Sequence, residues 1–251
     1  MKSLFRRLRA ATAPPTLSDA RRAALARALP FLARLAPGRR DRLHGLVARF
    51  LAEKTITPLQ GLELDDDQRL QLAGLACLPL LEFGAEGLHG WSQLIVYPDA
   101  FRVNRSHVDA AGVMHEWDDE LIGEAWDAGP VILSWADIVA DCADPRAGYC
   151  VAVHEIAHKL DVLDGVLDGT PALPREWQRE WARDFQAAYD AFCVEVDAGR
   201  ETTIDPYAAE APDEFFAVLS EYHFSDPHTL RAAMPAAADH LTRFYGPPPF
   251  A

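Results

Sequence analysis

The sequence predicts an α+β protein, mostly helical, in which a small mixed sheet lies between two helical parts. Three observations carry this expectation. Leu, Ala and Phe recur at helical spacing among arginines over residues 18–53. Short runs rich in apolar residues, bounded by Gly and Pro, follow between residues 90 and 135. Helical spacing returns after residue 144.

Residues 18–53 read as two or three short amphipathic helices, with Ser18 as a cap and Pro30 and Pro37 as breaks. Residues 65–81 give another, opened by Asp65, Asp66 and Asp67 and carrying Leu70, Leu72, Leu75 and Ala76. Ser92–Tyr97, between Gly90 and Pro98, reads as a strand, and Phe101–Val103 as the start of a second. Val131–Trp135, after Gly129-Pro130, reads as a third. Asp144-Pro145 is expected to start a helix, because proline suits the first turn. Residues 1–85 are expected to form a basic helical part packed on the core, and residues 86–251 the unit that carries the chemistry.

The net charge of -14 over 251 residues argues against a general nucleic-acid surface. It is unevenly placed. The first fifty residues hold 12 Lys/Arg and 2 Asp/Glu, and the remainder 12 and 36. A basic end on an acidic body could dock an acidic partner; equally, its arginines could be the solvated faces of helices packed on that body. Cys77, Cys142, Cys150 and Cys193 show no regular spacing, so reduced thiols are expected. The start, Met1–Arg9, is basic without the apolar run of a signal peptide, and no stretch is apolar enough to span a membrane. A cytoplasmic monomer, with neither nucleic acid nor membrane as a direct partner, is the expectation.

The decisive segment is Val151–Asp161, which contains His154-Glu-Ile-Ala-His158. A spacing of four puts both imidazoles on one helix face, where they can share a metal ion. Glu155 points to a neighbouring side, within reach of a water at that ion. Val153, Ile156, Ala157, Leu160 and Leu163 form the core-facing stripe, and Gly165 ends the helix. A hydrolytic zinc needs a third protein ligand. No histidine follows closely, so Glu214 and Glu221, on a helix opened by Pro212 and Asp213, are the candidates. They are seven residues apart, on nearly one face, and periodicity does not choose between them. Two His and one carboxylate also suit non-haem iron(II); Glu155 in the position of a base favours zinc.

The chain resembles the Mlc-titration-factor family of bacterial zinc peptidases, whose catalytic part is related to anthrax lethal factor. The likeness runs from about Gly90 to Asp226. It is carried by Trp91–Pro98, Gly123-Glu-Ala-Trp126, Gly129–Trp135, His154–Asp161 and Tyr207–Phe216, with Tyr207 seven residues before Glu214-Phe215-Phe216-Ala217. The resemblance implies a zincin-like fold of the gluzincin kind and one zinc held by His154, His158 and Glu214. It implies Tyr207 facing the site as an oxyanion donor, Glu155 as general base, and peptidase activity, perhaps that of an aminopeptidase. It also implies a second function, binding and sequestering a transcriptional repressor. Val131–Trp135 resembles the edge strand on which such enzymes lay an extended substrate, with Val131, Leu133 and Trp135 as contacts; an interior strand is equally consistent. Thermolysin-type enzymes place an acid four residues after the ligand glutamate to orient the first histidine, and Val218 stands there. Asp161 or Glu221 could hold the free ring nitrogens instead.

Other segments are read as ordinary. His115-Glu-Trp-Asp-Asp119 lacks the second histidine and reads as an acidic surface turn; Trp177, Trp181 and Phe185 read as core; His223, His228 and His240 have no helical partner. The stiff end, Arg243–Ala251, could lie across the cleft and obstruct it, or be pinned elsewhere.

Overall fold

A computed structural model describes residues 15–99, 101–108, 114–121, 123–125 and 129–250. Met1–Arg9 and Trp126 lie outside the described residues. The chain starts with α1 (Asp19–Ala28), capped by the Ser18 hydroxyl accepting from Arg21 N–H, a 3₁₀ turn at Pro30–Arg34, and α2 (Pro37–Glu53). Strand β1 (Thr55–Pro58) follows, then α3 (Asp66–Ala76), whose Asp65 and Gln68 form a reciprocal capping box. The strands are β2 (Gln93–Tyr97), β3 (Phe101–Val108), β4 (Met114–Leu121), β5 (Gly123–Ala125) and β6 (Val131–Ser134). The helices α4 (Trp135–Ala143), α5 (Val151–Asp161), α6 (Arg175–Asp197), α7 (Pro212–Ser225), α8 (Pro227–Ala233) and α9 (Pro235–Tyr245) complete the fold.

One sheet runs β1-β2-β6-β5, with β1, β2 and β6 parallel and β5 antiparallel to β6; β3 and β4 form a separate antiparallel pair. The mixed sheet and the helical excess make the α+β architecture read from the sequence. In register, Leu94 faces Val131 and Val96 faces Leu133, and all four are buried on one side of the pleat. Helix α5 packs against β5, β6, α3, α4 and α7, so the metal motif sits at the centre of the molecule. One apolar cluster runs from Leu17 to Tyr245, and Trp181 stacks on Phe185 at 4.1 Å within it. All four cysteines are free. Among the described residues, no helix is long and apolar enough to cross a membrane.

Several expectations are corrected. Val131–Trp135 is not one strand: Ser134 ends β6 and its hydroxyl accepts from Asp137 N–H, so Trp135 is the first residue of α4. Asp144-Pro145 opens no helix. The Asp144 side chain instead accepts from Arg146 N–H in a turn, and α5 begins only at Val151. The helix of residues 65–81 stops at Ala76. His115–Asp119 lies within β4 rather than in a turn. Leu163 is 39 % exposed, because α5 ends at Asp161 and the 3₁₀ turn Val162–Asp164 carries it off the core-facing stripe.

The C-terminal segment is pinned to α2, to α7 and to the 3₁₀ turn Pro30–Arg34. Arg39 donates to Tyr245 O (2.8 Å) and to Pro247 O, and Phe250 packs on Phe31 at 5.5 Å. His223 Nε2 lies 3.1 Å from Gly246 O. These contacts bind α2 and α7 to the tail, and none of them involves His154, His158, Glu214 or Glu221.

His223 is not ordinary in its titration. Burial pushes its pKa down to about 3, against the Gly246 hydrogen bond and with Arg39 nearby. A depressed histidine contributes stability that is present above its unfolded value near 6.5 and is lost as pH falls toward 3. Between pH 6.5 and 5 the wild type is expected to lose roughly 1.5 kcal/mol through this residue alone. His223→Gln, which keeps an N–H toward Gly246, should lose that much less in urea titrations at the two pH values. Equal losses would remove His223 as the cause.

Candidate metal centre

Every residue of α5 is buried except His154, which is partly exposed. Its N-terminus has no side-chain cap of its own. Two other helices supply one: Asp141 of α4 accepts from Val151 N–H at 2.9 Å, and Glu221 of α7 accepts from Cys150 N–H at 2.6 Å. Carboxylates at a helix N-terminus oppose the positive end of its dipole. Asp141 escaped the sequence reading because α4 itself did. Burial pushes its pKa up to about 7, against the Val151 hydrogen bond.

The other oxygen of Glu221 lies 2.8 Å from His154 Nδ1. A carboxylate oxygen accepts, so Nδ1 carries the proton and Nε2 presents its lone pair. Glu221 thus holds the ring that an acid at position 218 would hold in thermolysin-type enzymes; Val218 is buried. Asp161 makes no such contact. Its Oδ2 accepts from Gly169 N–H at 2.7 Å, while His158 Nδ1 has no hydrogen-bond partner among the described residues. What Asp161 fixes is a loop: Gly169, at φ 79°, comes so close to α7 that a Cβ there would lie 2.2 Å from Pro212 O. Burial pushes the Asp161 pKa up to about 7, against the Gly169 bond.

The histidines and Glu214 converge. His154 Nε2 lies 3.2 Å from His158 Nε2 and 3.0 Å from Glu214 Oε2, and His158 Nε2 lies 3.4 Å from that oxygen. Tetrahedral bonds of 2.0–2.1 Å place ligand atoms about 3.3 Å apart, so this triangle has the size a single ion requires. The three residues are the group among the described residues that could hold a metal ion. Glu221 is behind His154, not in the triangle. Burial disfavours the His154 cation, but Glu214 and Glu221 on its two nitrogens raise its pKa well above the ordinary value. Burial likewise opposes the Glu214 carboxylate, and the two histidines hold its pKa well below the usual range.

Glu155 is 1 % exposed, and its Oε2 has no hydrogen-bond partner among the described residues. Burial pushes its pKa up to about 7, opposed by His154 and His158. Tyr207 sits on the 3₁₀ turn Pro206–Ala209, where Asp205 accepts from its backbone N–H at 2.9 Å. Its ring centre is 6.2 Å from that of His154. Burial and the Glu214 carboxylate raise the phenol pKa, which keeps it a hydrogen-bond donor.

The proposed substrate contacts Val131, Leu133 and Trp135 do not line an edge. Strand β6 has β2 on one side and β5 on the other, Val131 and Leu133 are fully buried, and Trp135 is half-buried at the start of α4. Their apolar character is explained by the core. Among the described residues, the sheet edge on this side is β5. A cleft of ≈ 1260 Å³ between α2 and residues 81–91 lies elsewhere, and its charges are already engaged: Arg42 with Glu82, Arg49 with Glu53, and Lys54 with the carbonyls of Leu88 and Trp91.

Comparison with known proteins agrees with this geometry. The chain is 40% identical over 221 residues to Mlc titration factor A of Escherichia fergusonii, a match covering 87% of this chain and 83% of the relative. The proteins of the same name from Enterobacter sp. (strain 638) and Klebsiella pneumoniae (strain 342) match with the same identity and coverage. Residues 3–246 match the family described as glucose-regulated metallo-peptidase M90, and the chain belongs to that family.

Proposed function

We propose that this chain is a zinc-dependent peptidase, with His154, His158 and Glu214 holding the ion. The observation that carries the reading is the ligand triangle of 3.0, 3.2 and 3.4 Å with Glu155 buried beside it. Zinc, when bound, supplies Lewis-acid polarisation of a carbonyl and an acidified water. Zinc is preferred to iron(II) because a base stands next to the ligand set. Glu155 takes a proton from the attacking water and delivers it to the leaving amine; a carboxyl with a pKa near neutral can do both. Glu221 keeps the His154 ring in its ligating tautomer. Tyr207 donates to the oxyanion as charge develops. An extended peptide would pair along β5, the last strand on that side of the sheet among the described residues, with main-chain hydrogen bonds giving affinity. An aminopeptidase is one form of this activity. The test is metal analysis with a peptide-library digest of wild type and Glu155→Gln.

Tyr207→Phe should lower kcat more than it changes KM, because an oxyanion contact strengthens in the transition state. Steady-state kinetics on one cleaved peptide decides this. A change confined to KM would place Tyr207 in substrate binding.

A second reading is favoured by the name of the relatives. A protein called a titration factor for Mlc suggests binding to that repressor, and this chain could bind and sequester a similar protein. Arg21, Arg27 and Arg34, exposed on the helices of residues 1–85, would offer the docking face, and residues 86–251 the catalysis. The two functions are compatible.

A further inference from the structure

We propose that Leu163, Val166 and Leu167 form the surface that recognises the substrate peptide, selecting segments in which an aliphatic side chain stands beside lysine or arginine. The inference rests on the peptidase reading and names its substrate class.

Large hydrophobic side chains exposed among the described residues are Val139, Leu163, Val166, Leu167, Val194 and Tyr207. Tyr207 faces His154, and three of the remaining five fall within residues 163–167. They are 39, 55 and 36 % exposed. The fold does not require them there, because polar groups hold this loop. Gly169 N–H bonds Asp161 at 2.7 Å, Val166 N–H bonds Asp164 at 3.2 Å, and Thr170 N–H bonds Asp168 at 3.0 Å. Gly165 and Gly169 take the left-handed conformations that the turns demand. A loop fixed this way holds three apolar side chains out in water within five residues, a local concentration that a partner's side chain would cover.

Its position fits the chemistry. Leu163 follows His158 by three residues of α5 and two of the 3₁₀ turn Val162–Asp164, a rise of roughly 8.5 Å. The far end of the loop, Gly169, packs on Pro212, two residues before Glu214. The ledge therefore lies on the side of the triangle made by His158 and Glu214. An extended peptide advances roughly 3.3 Å per residue, so a side chain two or three residues from the scissile bond reaches it.

Charge selects the occupant. Residues 160–174 hold Asp161, Asp164 and Asp168 and no Lys or Arg, and Asp213 lies close enough to Asp161 to act on its charge. Asp164 and Asp168 are exposed beside the ledge. Aliphatic groups set among carboxylates favour a peptide that is both apolar and basic and disfavour an acidic one.

Binding tests this without requiring turnover. Zinc-loaded Glu155→Gln protein is titrated into fluorescein-labelled decapeptides of alternating Leu–Lys, Ser–Lys and Leu–Glu, read by anisotropy. The Leu–Lys peptide is expected to bind at least about tenfold more tightly than either control, the scale of burying one aliphatic side chain. Adding Val166→Ser and Leu167→Ser should abolish its advantage over Ser–Lys with metal content and Tm unchanged. Equal binding of the three peptides, or an advantage that survives the double substitution, overturns the ledge. Failure of the peptidase reading is separate: zinc-loaded wild type would then leave all three peptides intact while the Leu–Lys peptide still bound through the ledge.

Discussion

Glu155→Gln is expected to keep its metal and its fold and to lose at least about two orders of magnitude in turnover, the usual scale of a general base. The metal should stay because Glu155 is not a corner of the ligand triangle. The fold should stay because glutamine preserves the volume of a side chain that is 1 % exposed. Removing the charge also relieves a buried carboxyl whose pKa burial already lifts to about 7, so Tm should not fall. Metal analysis, thermal melting and cleavage of a fluorogenic peptide library measure the three together. Undiminished cleavage at equal metal loading would rule out Glu155 as the base. Loss of metal with loss of activity would show instead that the side chain supports the ligands.

Much of this site could be read from sequence because one helix carries half of it. A spacing of four fixes the directions of His154 and His158 whatever surrounds them. The third ligand was different in kind. Glu214 and Glu221 share a face of α7, and helical period gives direction around an axis, not which turn of α7 meets which turn of α5. In the structure both residues serve His154, Glu214 on Nε2 and Glu221 on Nδ1. The resemblance names Glu214, the carboxylate that converges with the two histidines, and the tertiary crossing sets Glu221 behind His154. Helix α4 was hidden by the run Val131–Trp135, in which Ser134 both ends the strand and caps the helix. Ser134 with Asp137 three residues later was the available signal. Strand β1 is four residues long, ends in Pro58 and lies at a sheet edge, where pattern is weakest. The interior position of β6 depends on its pairing with β5, which local sequence does not encode.

Glu214→Ala and Glu221→Ala separate the two carboxylates. Glu214→Ala deletes one corner of the triangle and leaves two histidines, so stoichiometric metal should be lost on dialysis against a weak chelator. Glu221→Ala leaves the triangle complete but frees the His154 ring and removes the acceptor of Cys150 N–H at the start of α5. Losing a partner to a metal-bound histidine typically costs 10–100-fold in affinity, so this variant should bind about that much more weakly yet fill at excess metal. It should also be less stable by about 1–3 kcal/mol, the cost of a buried donor left unpaired. Glu221→Gln keeps an oxygen for His154 Nδ1–H and should recover most of the affinity, a recovery that a merely space-filling role would not produce. The opposite pattern, metal retained by Glu214→Ala and abolished by Glu221→Ala, would mean that α7 presents its second carboxylate to the ion.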